Sequence, residues 1–154
     1  MKWISALLVM AACGGSKPVP SKAASDRAMD AATVDVLTAV ALHELKDVDP
    51  QKPVCLAIRG VGPEEVLPAI KAKYPNTVVD SACHGGGPDG SSVQAPDGPG
   101  VRIDIGPVTV TNGDTASCNG GGAYVSGGAR EIQYIVEHHG STWSVTNEKV
   151  LSEM

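Results

Sequence analysis

Cys83 and His84 are adjacent, His138 and His139 form a second pair, and Cys118 stands between them in the chain. Thiolate and imidazole ligands suit zinc or copper, so a metal-dependent site in this protein would use His84, His138, His139 and Cys118. The spacing argues against such a site. Neither Cys-x-x-Cys nor His-Glu-x-x-His occurs, and strand neighbours such as His138 and His139 point to opposite faces. Solvent-facing turn histidines are the simpler reading, and no cofactor is expected.

Other reactive residue types fare no better. Ser141 follows the paired histidines and Asp104 is a conceivable partner, but no Gly-x-Ser-x-Gly elbow is present, and hairpin tips seldom give the buried orientation a triad requires. Arg102 and Asp104, two apart on one strand face, read as a solvated ion pair rather than an acid/base couple. The glycine triplets at 85–87 and 120–122 lead into no helix and no Gly-Lys-Ser or Gly-Lys-Thr, so they read as turns or bulges, not phosphate loops. Asp89 and Asp97 stand in Gly-Pro loops that fail calcium-loop spacing. No catalytic residue is assigned, and a non-enzymatic protein is expected.

The N-terminus carries a clearer message. Lys2 supplies a positive start, Trp3 to Met10 an apolar run, and Ala11-Ala12 the small residues that let a peptidase approach the backbone before Cys13. This resembles a bacterial lipoprotein signal peptide, with Met10 standing where the family pattern most often has Leu. The resemblance implies that Cys13 becomes the mature N-terminus and the site of lipid attachment, so that residues 1–12 are a signal peptide and the membrane is reached through acyl chains. Two or more acyl chains, at about 0.8 kcal/mol per buried methylene, give a lasting anchor. Gly14 rather than Asp after the cysteine implies the outer membrane in the enterobacterial sorting pattern. The apolar run is about half the roughly 20 residues a bilayer span needs.

Removing those 12 residues leaves 142 of 154, enough for one domain with a core. Only Lys2 is lost among the charges, so 11 basic face 17 acidic residues, and no basic cluster exists. Nucleic acid and anionic lipid surfaces are therefore poor ligands; with the anchor, a protein, such as an envelope protein, or another envelope component is the expected partner. Phe is absent and five aromatic residues are present, which leaves little for sugar or base stacking.

Residues 13–24 have the Ser, Lys, Pro and Ala composition of a solvated linker, and a single domain is expected over 25–154. Ser25 is placed to cap a helix along which Met29, Val36, Leu37, Val40, Ala41 and Leu45 recur at helical spacing up to Asp47-Val48-Asp49-Pro50. Glu44 intrudes beside that stripe. Pro53 to Arg59 is an apolar run that reads as a buried strand. Pro63 opens a helix with Glu64 and Glu65 in its first turn and an apolar face of Val66, Leu67, Ile70 and Tyr74; Pro68 should kink it.

Thr77 to Cys83 reads as another strand, and 84–100 as a long loop. From Val101 the period becomes two. Val101, Ile103 and Ile105 share a face, Gly106-Pro107 interrupts, Val108 and Val110 resume, and Asn112-Gly113 signals a hairpin. The return strand runs from Thr115 to about Asn119, and Gly120-Gly121-Gly122 should break or bulge it. Ala123-Tyr124-Val125 then resumes and Gly127-Gly128 turns. Ile132, Tyr134 and Val136 alternate with polar residues, and Trp143 and Val145 follow the turn at 138–141.

The fold expected is α+β, with N-terminal helices packed on a mainly antiparallel sheet that ends in a C-terminal β-meander. Its element order is similar to cystatin-like or nuclear-transport-factor-like curved sheets. The segments Val54-Cys55-Leu56-Ala57-Ile58, Asp80-Ser81-Ala82-Cys83, 103–108, 121–128 and 140–145 also resemble small exported bacterial proteins of no known activity.

With Cys13 lipidated, Cys55, Cys83 and Cys118 remain in an oxidising compartment, so one disulfide and one thiol are expected. Cys55 lies near the start of its strand and Cys83 at the end of its own. They meet if those strands are antiparallel, and that pairing is the one favoured here; Cys83 with Cys118 is the competitor.

Overall fold

A computed structural model describes residues 22–85, 93–121 and 130–153. Within these, two helices and eight strands follow the order α1 (Lys22–Glu44), β1 (Val54–Ile58), α2 (Pro63–Lys71), β2 (Thr77–Val79), a 3₁₀ turn (Asp80–Ala82), β3 (Gln94–Ala95), β4 (Gly98–Pro99), β5 (Val101–Asn112), β6 (Thr115–Gly121), β7 (Arg130–His139) and β8 (Thr142–Glu153). The protein is α+β, with one mixed six-stranded sheet ordered β2-β1-β5-β6-β7-β8 and a two-stranded sheet of β3 and β4.

α1 buries Val36, Leu37, Val40, Ala41 and Leu45, the stripe that the spacing predicts. At about 1.5 to 3 kcal/mol for each large side chain, this face is what fixes the helix on the sheet. The helix starts before Ser25, so that serine is inside it and does not cap it. Lys22, Ala23 and Ala24 are strong helix formers, which explains why it extends into the expected linker. It ends where predicted: the Val48 N–H donates to the Leu45 carbonyl at 2.9 Å, and the Asp49 carboxylate accepts from Gln51 N–H.

α2 begins at Pro63 with Glu64 and Glu65 in its first turn, buries Val66 and Ile70, and holds Pro68 within it. Tyr74 lies just beyond, fully buried, its hydroxyl donating to the Leu45 carbonyl. That bond ties the end of α1 to the end of α2.

The expected antiparallel pairing of the first two strands is corrected. β1 and β2 run parallel, with Val54 opposite Thr77, Cys55 opposite Val78 and Leu56 opposite Val79. The reason is α2, because a crossover helix returns the chain to the end of the sheet where it began. β5 joins the other side of β1, again parallel, from Val54 opposite Val101 to Ile58 opposite Ile105. The strand expected over Thr77 to Cys83 covers only Thr77–Val79, and the chain then reverses through the 3₁₀ turn.

From β5 onward the sheet is an antiparallel meander. The hairpin after Asn112 forms one residue later than expected: Asn112 pairs with Thr115, Gly113 and Asp114 lie between, and the Asn112 side-chain oxygen accepts from Asp114 N–H at 2.9 Å. β5 continues through Gly106-Pro107 instead of stopping, with a bulge between Ile105 and Val108. Gly106 has φ +103°, and a Cβ there would lie 2.2 Å from the Arg59 carbonyl oxygen, so only glycine fits. The extra residue switches the alternation from Val101, Ile103 and Ile105 to Val108 and Val110, keeping both sets against the same core. Gly120 and Gly121 are regularly paired in β6, so the bulge lies in the partner strand. Residues 122–129, with the Ala123-Tyr124-Val125 segment and the Gly127-Gly128 turn, lie outside the described residues.

Both helices pack on one face, burying Leu56, Ile103, Ile105, Cys118, Tyr134 and Val136 beneath them. On the other face of β1 lies a smaller core of Cys55, Cys83, Val93 and Ala95, with Val78 against it.

Candidate functional site

Cys55 and Cys83 form a disulfide, with Cα atoms 6.3 Å apart. It forms between parallel strands because the 3₁₀ turn carries Cys83 back over the outer face of β1; the Cys83 N–H donates to the Asp80 carbonyl at 2.9 Å. Alternation places Cys55 opposite in direction to Val54 and Leu56, which enter the main core. The pairing expected from the sequence is present, but the strand direction inferred with it is not.

Cys118 is a free, buried thiol under the helices. Burial pushes its pKa up to about 11, against smaller opposing effects of the Gly106 N–H and the Arg59 guanidinium. Cys13, Asp89, Gly86, Gly87 and Gly122 lie outside the described residues.

The histidines are dispersed. His84 is exposed and exchanges two backbone bonds of 2.8 Å with Gln94 on the small-sheet side of β1. His138 and His139 close β7 three strands away; the first stacks at 5.0 Å on Trp143 with Nδ1 3.7 Å from the Asp114 carboxylate, and the second pairs with Glu137 at 3.3 Å. Cys83 is spent in the disulfide. Among the described residues no group of three His, Cys, Asp or Glu side chains is arranged to hold a metal. Ser141 lies exposed in the β7–β8 turn.

Arg102 and Asp104 do not pair with each other. Arg102 Nε is 2.6 Å from Asp80, and Asp104 is 3.1 Å from Arg59 Nε, because the neighbouring elements offer nearer partners than a residue two along the same strand.

One cluster was not anticipated by sequence reasoning. Where α1 ends over β7 and β8, the Tyr134 hydroxyl donates to Glu44 Oε1, and His43 Nε2 lies 3.1 Å from Glu148 Oε2. The His43 ring meets Tyr134 edge-on with centroids 6.1 Å apart, and Lys46 Nζ is 3.5 Å from His43 Nε2. Burial, then the adjacent Glu44 carboxylate, pushes the Tyr134 phenol up from its ordinary value. Glu44 beside the apolar stripe was the available signal, since a carboxylate there needs a buried donor. With Tyr134 fully buried and the pairs directed at one another, the cluster fastens α1 to the meander.

Among the described residues, the open surfaces include the following two. A groove of about 490 Å³ beside α1 and α2 is lined by Asp30, Ala31, Val34, Asp35 and Glu65. The larger surface is the outer face of the meander, where Thr109, Ser117, Ile135 and Asn147 form one cross-strand row and Asn119, Gln133 and Lys149 the next. Neither helix covers these half-buried and exposed side chains. They are hydroxyls and amides with one apolar side chain and one cation.

Comparison with protein-family models, with curated proteins and with solved structures gave no match. No helix among the described residues is long and apolar enough to cross a membrane.

Proposed function

We propose that this chain is a bacterial lipoprotein, lipid-anchored through Cys13 to the cell envelope with the outer membrane as its destination, whose domain is a non-enzymatic binding or envelope-structural module. The observation that supports the binding role is the uncovered outer face of β5–β8. Its central rows of hydroxyl and amide groups can hydrogen-bond a partner, with Glu131 and Glu137 in the flanking rows. An envelope protein is the partner class that this polar face and the acidic overall charge favour over nucleic acid. The architecture proposed with it is the cystatin-like or nuclear-transport-factor-like curved sheet, supported for the meander half by the packing of α1 on β5 to β8.

A photo-crosslinking residue replacing Gln133, on the outer face, should yield discrete protein adducts in intact cells, and the same residue replacing Glu64 on α2 should not. Equal labelling from both positions, or none from Gln133, removes the reading. Cys13→Ser should abolish labelling by a fatty-acid probe and move the protein out of the detergent phase. Retained labelling rejects the lipoprotein assignment independently of the binding surface.

A further inference from the structure

The small core on the outer face of β1 is built differently from the main one. Among the described residues, Val93 and Ala95 are its buried side chains besides the two cysteines, with Val78 packed against them. The backbone bonds of this region close within it: His84 and Gln94 bond reciprocally at 2.8 Å, Gly100 N–H donates to the Val93 carbonyl, and Cys83 N–H to the Asp80 carbonyl. β3 and β4 pair with each other and lie outside the six-stranded sheet. Among the described residues, and apart from the chain's own continuation into β2 and β5, its attachments to the rest of the domain include the Cys55–Cys83 bond, the Arg102–Asp80 ion pair and the burial of those few apolar atoms.

We propose that residues 80–85 and 93–100 form a unit that opens separately from the six-stranded sheet when Cys55–Cys83 is reduced, making the disulfide a redox-controlled fastener. A segment with few apolar contacts and self-contained hydrogen bonds is the kind that opens below the global unfolding free energy. Cys118 cannot exchange into the bond, because it lies under the helices on the opposite face of the sheet from Cys55. The reductant is therefore an external dithiol. Its thiolate attacks the Cys83 sulfur, the more exposed of the pair at 9% against 0%, and Cys55 leaves as a thiolate that takes up a proton. The second thiol of the reagent then displaces Cys83. The reagent departs as a disulfide after delivering two electrons and two protons, leaving two protein thiols. Opening uncovers the outer face of β1 and β2 beside the already open meander.

Hydrogen exchange on the full chain at neutral pH, with and without dithiothreitol, tests this. The amides of Cys83, His84, Gln94 and Gly100 should exchange within about tenfold of an unstructured chain when reduced, while those of Ile103, Cys118 and Tyr134, which open only with the whole domain, stay at least about a hundredfold slower. The double variant Cys55→Ser/Cys83→Ser should reproduce the pattern without reagent, which separates the effect from any failure of the reagent to reach the bond. Unchanged protection at His84 and Gln94 in the double variant, or loss of protection to that same level through β5 to β7, overturns the proposal.

Discussion

The two halves of the sheet are covered in different ways. In the parallel half, β1 is enclosed on both sides: Leu56 is 1% exposed beneath the helices and Cys55 0% exposed beneath the disulfide-bound unit. In the meander, Ile132, Tyr134 and Val136 are buried while Gln133, Ile135 and Glu137 stay partly open. Sequence reflects this directly, as a continuous apolar run in β1 and alternation in β7. The difference teaches that the parallel half is secured from both faces, whereas the meander is packed by the helices from one face.

Breaking the seam between the halves should cost most. Ile103, fully buried in β5 where the parallel and antiparallel ladders meet, should lose about 2 to 5 kcal/mol on Ile103→Ala, read as a lower midpoint in urea unfolding. A loss under about 1 kcal/mol would mean the halves do not share one core. Next, Cys55→Ser and Cys83→Ser should each lower global stability alike, by roughly 3 to 4 kcal/mol, because the bond closes a 28-residue separation in the unfolded chain. Unequal losses would indicate that one cysteine matters through packing alone.

Cys118 sharpens the contrast from the meander side. Its thiol pKa is raised by burial from 9.0 to about 11, so the unfolded chain ionises first and the folded state is favoured only while the thiol stays protonated. That stability is complete below pH 9 and lost as pH rises towards 11, amounting to roughly 2 to 3 kcal/mol. Cys118→Ala should flatten that part of the pH profile measured by thermal unfolding, leaving the tyrosine and lysine contributions. The smallest effect belongs to the ion pairs. Arg102→Ala, which frees Asp80 of the disulfide-bound unit, should cost no more than about 1 kcal/mol, and Arg59→Ala, at a more exposed pair, less. The reverse order would place an unexpected burden on the Arg59–Asp104 bridge.

The elements whose signals are local could be read from the chain alone. α1 announces itself by its stripe, α2 by Pro63 and its acidic first turn, and β7 by its alternation. What escaped depends on contacts distant in sequence. The direction of β2 follows from the crossover of α2, the shortness of β2 from the 3₁₀ turn, and Arg102 chooses Asp80 because the fold delivers it. Glu44 and Tyr134 are 90 residues apart, and nothing near either one names the other. The disulfide was legible from cysteine arithmetic although the geometry used to support it was wrong, since a single turn after β2 can supply the reach that strand direction denies.

The bulge at Gly106-Pro107 acts on β5 as an inserted letter acts on a reading frame. Everything downstream is interpreted in the shifted phase. A strand running straight through Gly106-Pro107 without the bulge would ask Thr109 to enter the core and Val108 and Val110 to face water. The meander would then have to turn its wet side towards α1, or part company with the parallel strands. The extra residue at this point, more than the identity of any single side chain beyond it, decides which face of the meander lies against the helices.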